Sequence, residues 1–466
     1  MRYVRAAALL AVLGSFIIAA GCGGGSGGAA PPLSGQDQPT MSGPMDPTTD
    51  TNPPIAPEST TSAATQDPAT TQSTTLSTAS SIVVPRHVMN AGFIYGYAGV
   101  PTSVPLYKMS PWMNWAFTDS THAPLLRAAG IKVAIYVNYF RNHTNDNPSI
   151  GYTDLKPGGA HAPAETKTCS GSTIWDPTYG GGYASDARKT SEALGHAKVV
   201  VGYKKNQYGS NWDAMFADEV GSFLGMPTPC GYSASTYPAA INTVHSELGV
   251  RLWLNALGKK LDPYIGQVTN PSNVVGAMCE LCYGINLKGA DAVETTHDGI
   301  WQWLENTEIS TIAKHKVFWD YARLSGYAQY ETALRKYVYA SFLLTYAPDY
   351  AMMETALKTN SGFPVMPETG LVPMNPVTTA SSVNGYLRSG GAYMREFGAC
   401  YYLGVNHGKC AIVINPNPTG TVSVPTRAYG HSLVLSGSGV LDGGSVRFSG
   451  GRVTSLAAST AAMLFP

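Results

Sequence analysis

The sequence predicts an α/β fold, namely a (β/α)8 TIM barrel followed by a small all-β sandwich, with a signal peptide and a disordered linker before them. Apolar runs bounded by turn residues alternate with helical patterns between residues 92 and 355, as in a parallel barrel. Beyond residue 383, short strands follow one another without helices, as in a β-sandwich. The expected bounds are 1–22 for the signal peptide, 23–85 for the linker, 86–378 for the barrel and 379–466 for the sandwich.

The N-terminus has the pattern of an exported protein. Arg2 and Arg5 precede the apolar residues 6–20, a run too short to span a bilayer comfortably. The sequence Ala19-Ala20-Gly21-Cys22 resembles a bacterial lipoprotein signal, in which Cys22 becomes the lipidated first residue of the mature protein. An ordinary secretory signal with an unrelated cysteine is the alternative. We therefore expect a protein of the cell envelope or the extracellular space, attached to the membrane through a lipid anchor.

The composition limits the partners that the protein can have. It has 30 basic and 30 acidic residues, so the formal net charge is zero and no basic stripe indicates nucleic acid. A chain with 27 Tyr, 8 Trp and only 13% charged residues suits a neutral polar ligand such as a sugar, because aromatic rings stack on sugar faces. Residues 23–85 contain almost nothing apolar to bury, which predicts a flexible tether. A glycosylated stalk is the alternative.

Eight candidate strands occupy the barrel region. They span 92–97, 132–139, 198–203, 213–219, 251–255, 274–280, 316–321 and 350–355. Helical patterns at 123–129, 185–194, 235–248, 298–315 and 327–345 lie between them. The Gly- and Pro-containing stretch 141–178 is too long for a simple connection and predicts a wall of the binding site, with a disordered insertion as the alternative.

The predicted strand 213–219 ends in two adjacent carboxylates, Asp218 and Glu219. Because side chains alternate along a strand, Asp218 shares a face with Phe216 and Ala214. As the fourth strand of a parallel barrel, this segment would place Asp218 at the C-terminal mouth, where such barrels carry their chemistry.

Glycoside hydrolysis needs two carboxyl groups across the scissile bond, one to donate a proton and one to act as nucleophile or to activate water. Glu280 ends the sixth predicted strand and shares a face with Gly276, just as Asp218 shares one with Ala214. Both small residues suit an inward layer, so both carboxylates are expected to point over the barrel. Asp218 and Glu280 form the candidate catalytic pair, with Glu219 as a further candidate.

Polar and aromatic side chains at other strand ends are candidates for binding the substrate. Each also has a structural alternative, because aromatic rings pack in cores and rims, and carboxylates pair with arginines such as Arg323. The candidates are Tyr97, Asn138, Tyr139, Trp253, Asn255, Asp320 and Glu354.

Six cysteines follow Cys22, and an even number in an exported chain favours disulfides. The unit Cys279-Glu-Leu-Cys282 ends a predicted strand, whereas a thioredoxin-like redox unit begins a helix and a zinc site needs a second cysteine pair. A structural disulfide that fixes the backbone around Glu280 is therefore expected there. The expected pairs are Cys169 with Cys230, Cys279 with Cys282, and Cys400 with Cys410.

Motifs of other chemistries are missing from the sequence. Its ten histidines form no His-x-His or His-Glu-x-x-His pattern, and no Gly-x-Ser-x-Gly elbow is present. No Gly-x-Gly-x-x-Gly or Walker loop opens a helix after the first strand. These observations disfavour a metallohydrolase, an esterase and a nucleotide-binding protein, and we expect neither a metal nor an organic cofactor.

Several short motifs resemble a bacterial glycoside hydrolase-like TIM-barrel family with a C-terminal β-sandwich domain. The run from Trp212 to Glu219 is similar to the strand of these proteins that ends in Phe-x-Asp, and the run from Gly276 to Glu280 resembles a later strand that ends in Glu. The segments 363–368, 393–397 and 411–416 resemble the exit from the barrel and the β-domain that follows. The resemblance covers residues 86–466 and implies an activity class without a substrate.

The placement on strands four and six also resembles retaining glycosidases of the α-galactosidase type. That likeness implies that Asp218 is the nucleophile and Glu280 the acid/base. We expect a glycosidase that acts on a poly- or oligosaccharide. A catalytically inactive, surface carbohydrate-binding barrel is the alternative, and a purely structural envelope protein is a third possibility.

Overall fold

The computed structural model describes residues 84–95, 102–143, 158–176, 182–220, 227–233, 235–257, 267–280, 282–283, 300–324, 331–357, 365–425 and 427–466. Cys22, Tyr97 and the linker up to residue 83 lie outside the described residues.

Parallel strands close into an eight-stranded barrel in the described part of the chain, with neighbours in sequence order. The strands are β1 (Met89–Phe93), β2 (Trp115–Phe117), β3 (Lys132–Val137), β4 (Ala214–Ala217), β5 (Leu252–Asn255), β6 (Val274–Glu280), β7 (Val317–Leu324) and β8 (Ala351–Leu357). The α-helices of the described residues are α1 (Leu106–Met109), α2 (Ala123–Ala128), α3 (Thr190–Tyr208), α4 (Thr236–Leu248), α5 (Ile300–Ala313) and α6 (Thr332–Thr345). Short 3₁₀ turns cover Ser110–Trp112, Gln267–Thr269, Pro367–Gly370 and Val383–Tyr386. The predicted (β/α)8 barrel is confirmed.

One predicted strand was wrong and one real strand was missed. Residues 198–203 lie inside α3, although three consecutive valines favour a strand. The buried positions Ala193, Ala197, Val200 and Val201 follow a helical spacing, so packing overrides the local propensity. The missed strand, β2, has only three residues and shows no usable alternation. The two errors cancel, so Asp218 and Glu280 still belong to the fourth and sixth strands.

Aromatic side chains fill the interior of the barrel. The rings of Phe117 and Trp319 stack at 4.6 Å between centroids, and Trp115 meets Trp253 edge-on at 5.2 Å. Gly276 leaves room for this packing, because a Cβ there would lie 2.2 Å from the Val317 carbonyl oxygen and 2.8 Å from the Trp253 ring. The barrel is therefore a packed core below its mouth.

The stretch that was predicted to be a wall contributes two strands to a small sheet next to the C-terminal end of β3. Arg141–His143, Trp175–Asp176 and Gly182–Ala184 pair in antiparallel fashion. The Tyr237 hydroxyl at the start of α4 donates to the Ser185 carbonyl at 3.2 Å. The predicted Cys169–Cys230 disulfide ties the same region to the loop before α4. These links hold the described part of the stretch in place.

The C-terminal region forms the predicted β-sandwich. Its strands are β9 (Leu371–Pro376), β10 (Tyr393–Tyr402), β11 (Val405–Asn406), β12 (Cys410–Asn415), β13 (Thr421–Ser423), β14 (His431–Ser436), β15 (Ser445–Gly450), β16 (Ser455–Ala457) and β17 (Thr460–Phe465). The large antiparallel sheet has the order β9-β10-β12-β17-β14-β15, with β11 on β10, and β13 pairs with β16 in the small sheet. Met394, Val413 and Leu464 of the large sheet share a buried cluster with Val422 and Leu456 of the small one. The predicted Cys400–Cys410 disulfide is present.

The sandwich begins earlier than residue 379, the expected boundary, because β9 already pairs with β10. Its large sheet contacts the barrel through buried charged groups. Arg395 Nη1 donates to the carbonyl oxygens of Leu344 and Tyr346 at the end of α6, each at 3.0 Å. Arg335 of α6 forms a buried ion pair with Glu368, with Nε 2.8 Å from Oε1. These contacts saturate helix-end carbonyls and pair a buried charge.

Candidate active site

The two predicted carboxylates meet at the C-terminal mouth of the barrel through one amide. Asp218 follows β4, Glu280 ends β6, and Asn255 ends β5 between them. Asn255 Nδ2 donates to Asp218 Oδ1 at 2.7 Å and to Glu280 Oε2 at 2.8 Å. The inward packing of Ala214, Phe216 and Met278 agrees with the parity expected from the sequence. The arrangement therefore brings together two acidic groups from strands on either side of β5.

Asp218 lies in a polar environment although only 2% of its surface is exposed. The Tyr136 hydroxyl donates to its Oδ2 at 2.7 Å, and the Glu219 amide donates to its Oδ1 at 2.8 Å. With Asn255, three donors converge on the carboxylate. Hydrogen bonds of this kind stabilise the ionised form of a buried acid. Glu280 is more exposed than Asp218.

Glu219 points to different partners from those of Asp218. Its Oε1 lies 3.0 Å from Arg141 Nη1, and its Oε2 accepts from Asn138 Nδ2 at 3.2 Å. Asn138 in turn accepts a hydrogen bond from the Arg141 amide at 3.0 Å. Glu219 therefore anchors the start of the small loop sheet beside the mouth, and the geometry places the predicted residues Asn138 and Glu219 in one network.

Non-glycine residues with positive φ follow three of the barrel strands. Tyr95 after β1, Glu219 after β4 and Tyr283 after β6 have φ of 46°, 48° and 58°. Such conformations cost on the order of 1–3 kcal/mol each and persist where surrounding contacts hold them. All three residues follow strands at the end of the barrel where hydrogen bonds orient the acidic groups.

Glu354, in the middle of β8, is a third carboxyl group at the mouth. It is 3% exposed, and its Oε1 accepts from the Phe93 amide at 3.3 Å. Tyr321 is the cross-strand partner of both Glu280 and Glu354, so these side chains share one layer. Burial raises the pKa of Glu354 to about 8 and the charge of Glu280 adds to the rise, while the Phe93 amide and Trp319 oppose it. At neutral pH Glu354 is therefore a protonated acid that can donate a hydrogen bond.

Replacement of Glu354 by Gln is expected to change how stability depends on pH. The unfolded chain loses this proton near its usual pKa of 4.5, whereas the folded protein keeps it until about pH 8. The contribution of Glu354 to the free energy of unfolding is thus complete below pH 4.5 and falls as pH rises towards 8, by up to about 1.4 kcal/mol per pH unit. Urea unfolding of wild type and Glu354→Gln between pH 5 and 8 measures the difference. The exposed Glu247→Gln is the control, and a difference that stays constant with pH contradicts the prediction.

Three residues that the sequence suggested for substrate binding lie away from the mouth. Asp320 is fully buried on the outer face of β7, because its strand neighbours Trp319 and Tyr321 take the inner face. Trp253 has no exposed surface and lies one layer below Asn255 in the aromatic core.

Tyr139 is buried on the helix side of the barrel, with its ring 6.1 Å from that of His245 in α4. The alternation of side chains along β7 could have excluded Asp320 from the substrate-binding candidates. Tyr97 lies outside the described residues.

Three residues of the site, Tyr136, Arg141 and Phe93, were not predicted from the sequence. Tyr136 was not among the candidates, yet its parity places it on the inner face two positions before Asn138, and that parity was a usable signal. Arg141 and Phe93 carried no such signal. Arg141 reaches Glu219 across 78 residues of sequence, and Phe93 contributes its backbone amide to Glu354. The predicted disulfide between Cys279 and Cys282 is present and brackets Glu280.

Neither a metal-binding cluster nor a membrane-spanning helix is found in the described residues. No group of three or more His, Cys, Asp and Glu side chains in them is placed to hold a metal ion. Within the same residues, no helix combines the length and apolar character needed to cross a membrane.

Fold and site together define a (β/α)8 barrel with a β-sandwich, whose mouth holds two carboxylates bridged by an asparagine. No family model and no curated protein matches the chain. Solved structures with similar folds include the glycoside hydrolase domain of PelA from Pseudomonas aeruginosa, with TM-score 0.38 and 13% identity over 57% of this chain and 94% of that one.

Two further solved structures match over most of this chain and most of their own length. The family 30 subfamily 8 xylanase Xyn30A from Clostridium acetobutylicum has TM-score 0.37 and 14% identity, over 81% of this chain and 95% of that one. The debranching enzyme of Nostoc punctiforme has TM-score 0.42 and 12% identity, over 82% and 98%. Similarity at this level carries no information about the substrate of this protein.

Proposed function

We propose that the protein is an exported glycoside hydrolase that cleaves glycosidic bonds of a poly- or oligosaccharide. The observation that carries the proposal is the pair Asp218 and Glu280, held by one Asn255 amide at the barrel mouth. Hydrolysis of a glycosidic bond needs two carboxyl groups that face each other. The aromatic-rich, weakly charged composition supports a neutral polar substrate.

The two carboxyl groups have different environments, which supports different roles. Asp218 is buried and accepts three hydrogen bonds, so it is assigned as the nucleophile that attacks the anomeric carbon. Glu280 is assigned as the acid that protonates the departing glycosidic oxygen, and afterwards as the base that takes a proton from water. Water then breaks the ester between the sugar and Asp218, which restores both carboxyl groups.

The separation of the two groups favours retention of configuration. Asp218 Oδ1 and Glu280 Oε2 lie 2.7 and 2.8 Å from the same nitrogen, so they stand no further apart than the sum of those distances. Carboxyl groups are about 5–5.5 Å apart in retaining glycosidases and about 6.5–9.5 Å apart in inverting ones. This limit for the two nearest oxygens agrees with the retaining geometry.

Hydrolysis of a panel of polysaccharides and aryl glycosides by the whole chain tests the proposal. Turnover with retained anomeric configuration, followed by NMR, supports it. Binding of a glycan without cleavage would favour the inactive carbohydrate-binding barrel. Neither turnover nor binding on a broad panel would contradict both functions.

The proposed location is the outer side of a membrane, reached through a lipid on Cys22 and the tether that follows it. The motif Ala19-Ala20-Gly21-Cys22 supports this placement. Replacement of Cys22 by Ser is expected to move the protein from the membrane fraction to the soluble fraction, because a lipid anchor is lost. Blotting of the two fractions measures the change. Wild-type protein that is already soluble would contradict the anchor.

A further inference from the structure

A cluster of buried acidic groups lies on the outer side of the barrel, behind the candidate pair. Glu305 and Glu308 of α5 and Asp320 of β7 have no exposed surface. Burial and the charge of Glu308 raise the pKa of both Glu305 and Asp320 well above the usual range, and burial raises the pKa of Glu308 to about 8. The cluster therefore retains protons at neutral pH, and it contributes nothing directly to the mouth.

Tyr283 connects this cluster to the segment that carries Glu280. Its hydroxyl donates to Glu308 Oε2 at 3.1 Å, and its side chain is fully buried. The preceding residue, Cys282, forms the disulfide with Cys279, which comes directly before Glu280. Tyr283 also has φ of 58°, a conformation that needs support from surrounding contacts.

The segment has two sides with different partners. Cys279 is the cross-strand partner of Asp320 on the outer face of the barrel. Its neighbour Glu280 points to the inner face, where its Oε2 accepts from Asn255. The disulfide between Cys279 and Cys282 links the residue before Glu280 to the residue before Tyr283.

We propose that Glu308, acting through the hydroxyl of Tyr283, is a positioning residue for Glu280. The bond between Glu308 and Tyr283 fixes the outer side of the segment, and the Glu280 carboxylate thereby stays within 2.8 Å of Asn255 Nδ2. The catalytic importance of this placement rests on the proposed function. The placement itself does not.

Tyr283→Phe removes the hydroxyl and is the first test, with Tyr339→Phe as the matched control. The Tyr339 hydroxyl is equally buried and donates to the Leu371 carbonyl at 2.6 Å, away from the mouth. Tyr283→Phe is expected to lower kcat at least tenfold with little change in KM, since a misplacement of 1 Å can cost about 10²-fold. Tyr339→Phe should change the melting temperature and leave kcat unchanged. Equal effects of the two variants on kcat would overturn the proposal.

Glu308 provides a second, independent pair of variants. Glu308→Gln keeps an oxygen that accepts from Tyr283 and should retain kcat within about twofold, whereas Glu308→Leu removes the acceptor and should reproduce the loss. If Glu308 only filled space, Glu308→Leu would retain kcat as Glu308→Gln does. Equal activity of both variants would overturn the proposal even if Tyr283→Phe fails to fold.

Crystal structures of the whole chain separate this proposal from the proposed function. In Glu308→Leu or Tyr283→Phe, the hydrogen bond between Asn255 and Glu280 should be lost. If wild type hydrolyses no glycan, the glycosidase assignment fails, and this distance still decides whether Glu308 positions Glu280. An unchanged distance would overturn the positioning role.

Discussion

Glu280→Gln is expected to lower kcat on a natural glycan by about 10²–10⁴-fold, because the leaving oxygen loses its proton donor. The loss should be much smaller for the first step on an aryl glycoside with a good leaving group, since that group departs without protonation. The glycosyl ester on Asp218 should then accumulate and give a burst of the aryl alcohol. Added azide should restore turnover, because its nitrogen attacks the anomeric carbon and releases Asp218 without a general base.

Asp218→Asn is expected to lose turnover on both kinds of substrate, because an amide does not attack the anomeric carbon. The matched control is Asp213→Asn, at the opposite end of the same chain segment. Asp213 lies 3.3 Å from Arg127 Nη2 and accepts from the Val133 amide at 2.9 Å, so its replacement should affect stability only. Equal activity of Asp218→Asn and Asp213→Asn would exclude the assigned nucleophile.

Asn255→Ala is the second large effect that we expect. One Asn255 nitrogen serves both carboxylates, and without it two acidic groups at close range lose a shared donor. We expect kcat to fall by about 10²-fold, because orientation within about 1 Å can be worth that factor. The optimum of the pH–rate profile should also move, since the repulsion between the groups is no longer compensated. Steady-state kinetics across pH 4–9 measure both effects.

A second asparagine provides the control for Asn255. Asn273 Nδ2 also makes two hydrogen bonds, to the carbonyl oxygens of His245 and Val250, each at 2.8 Å. It lies at the start of β6, whereas Glu280 ends that strand. Asn273→Ala should lower the melting temperature and leave the pH–rate profile unchanged. A profile that shifts equally in both variants would show that Asn255 has no particular relation to the carboxylates.

Much of the candidate site could be found because strands impose a two-residue period. Asp218 and Glu280 share faces with small or apolar residues, and this alternation by itself predicts that both point inward. The expected disulfide pairs are also present. The expectation rested on where the cysteines lie, namely on either side of a predicted hairpin, in two long loops, and at the end of a strand. The same alternation along β7 places the buried side chain of Asp320 on the outer face of the barrel. The prediction that Asp320 binds substrate did not take this alternation into account.

Local sequence failed where packing decides the structure. The valines of 198–203 favour a strand, yet they lie in α3 because the buried face of that helix needs apolar side chains. The three-residue strand β2 exists only because β1 and β3 supply its hydrogen-bond partners.

The sequence by itself determined the barrel with its sandwich and the carboxylates at two strand ends, because these depend on local period and spacing. Only the tertiary structure decided that Asn255 joins the two acids, that Arg141 holds Glu219 and that Glu308 reaches Tyr283. Each of these contacts joins segments that are far apart in the chain, and their geometry exists only after the barrel has closed.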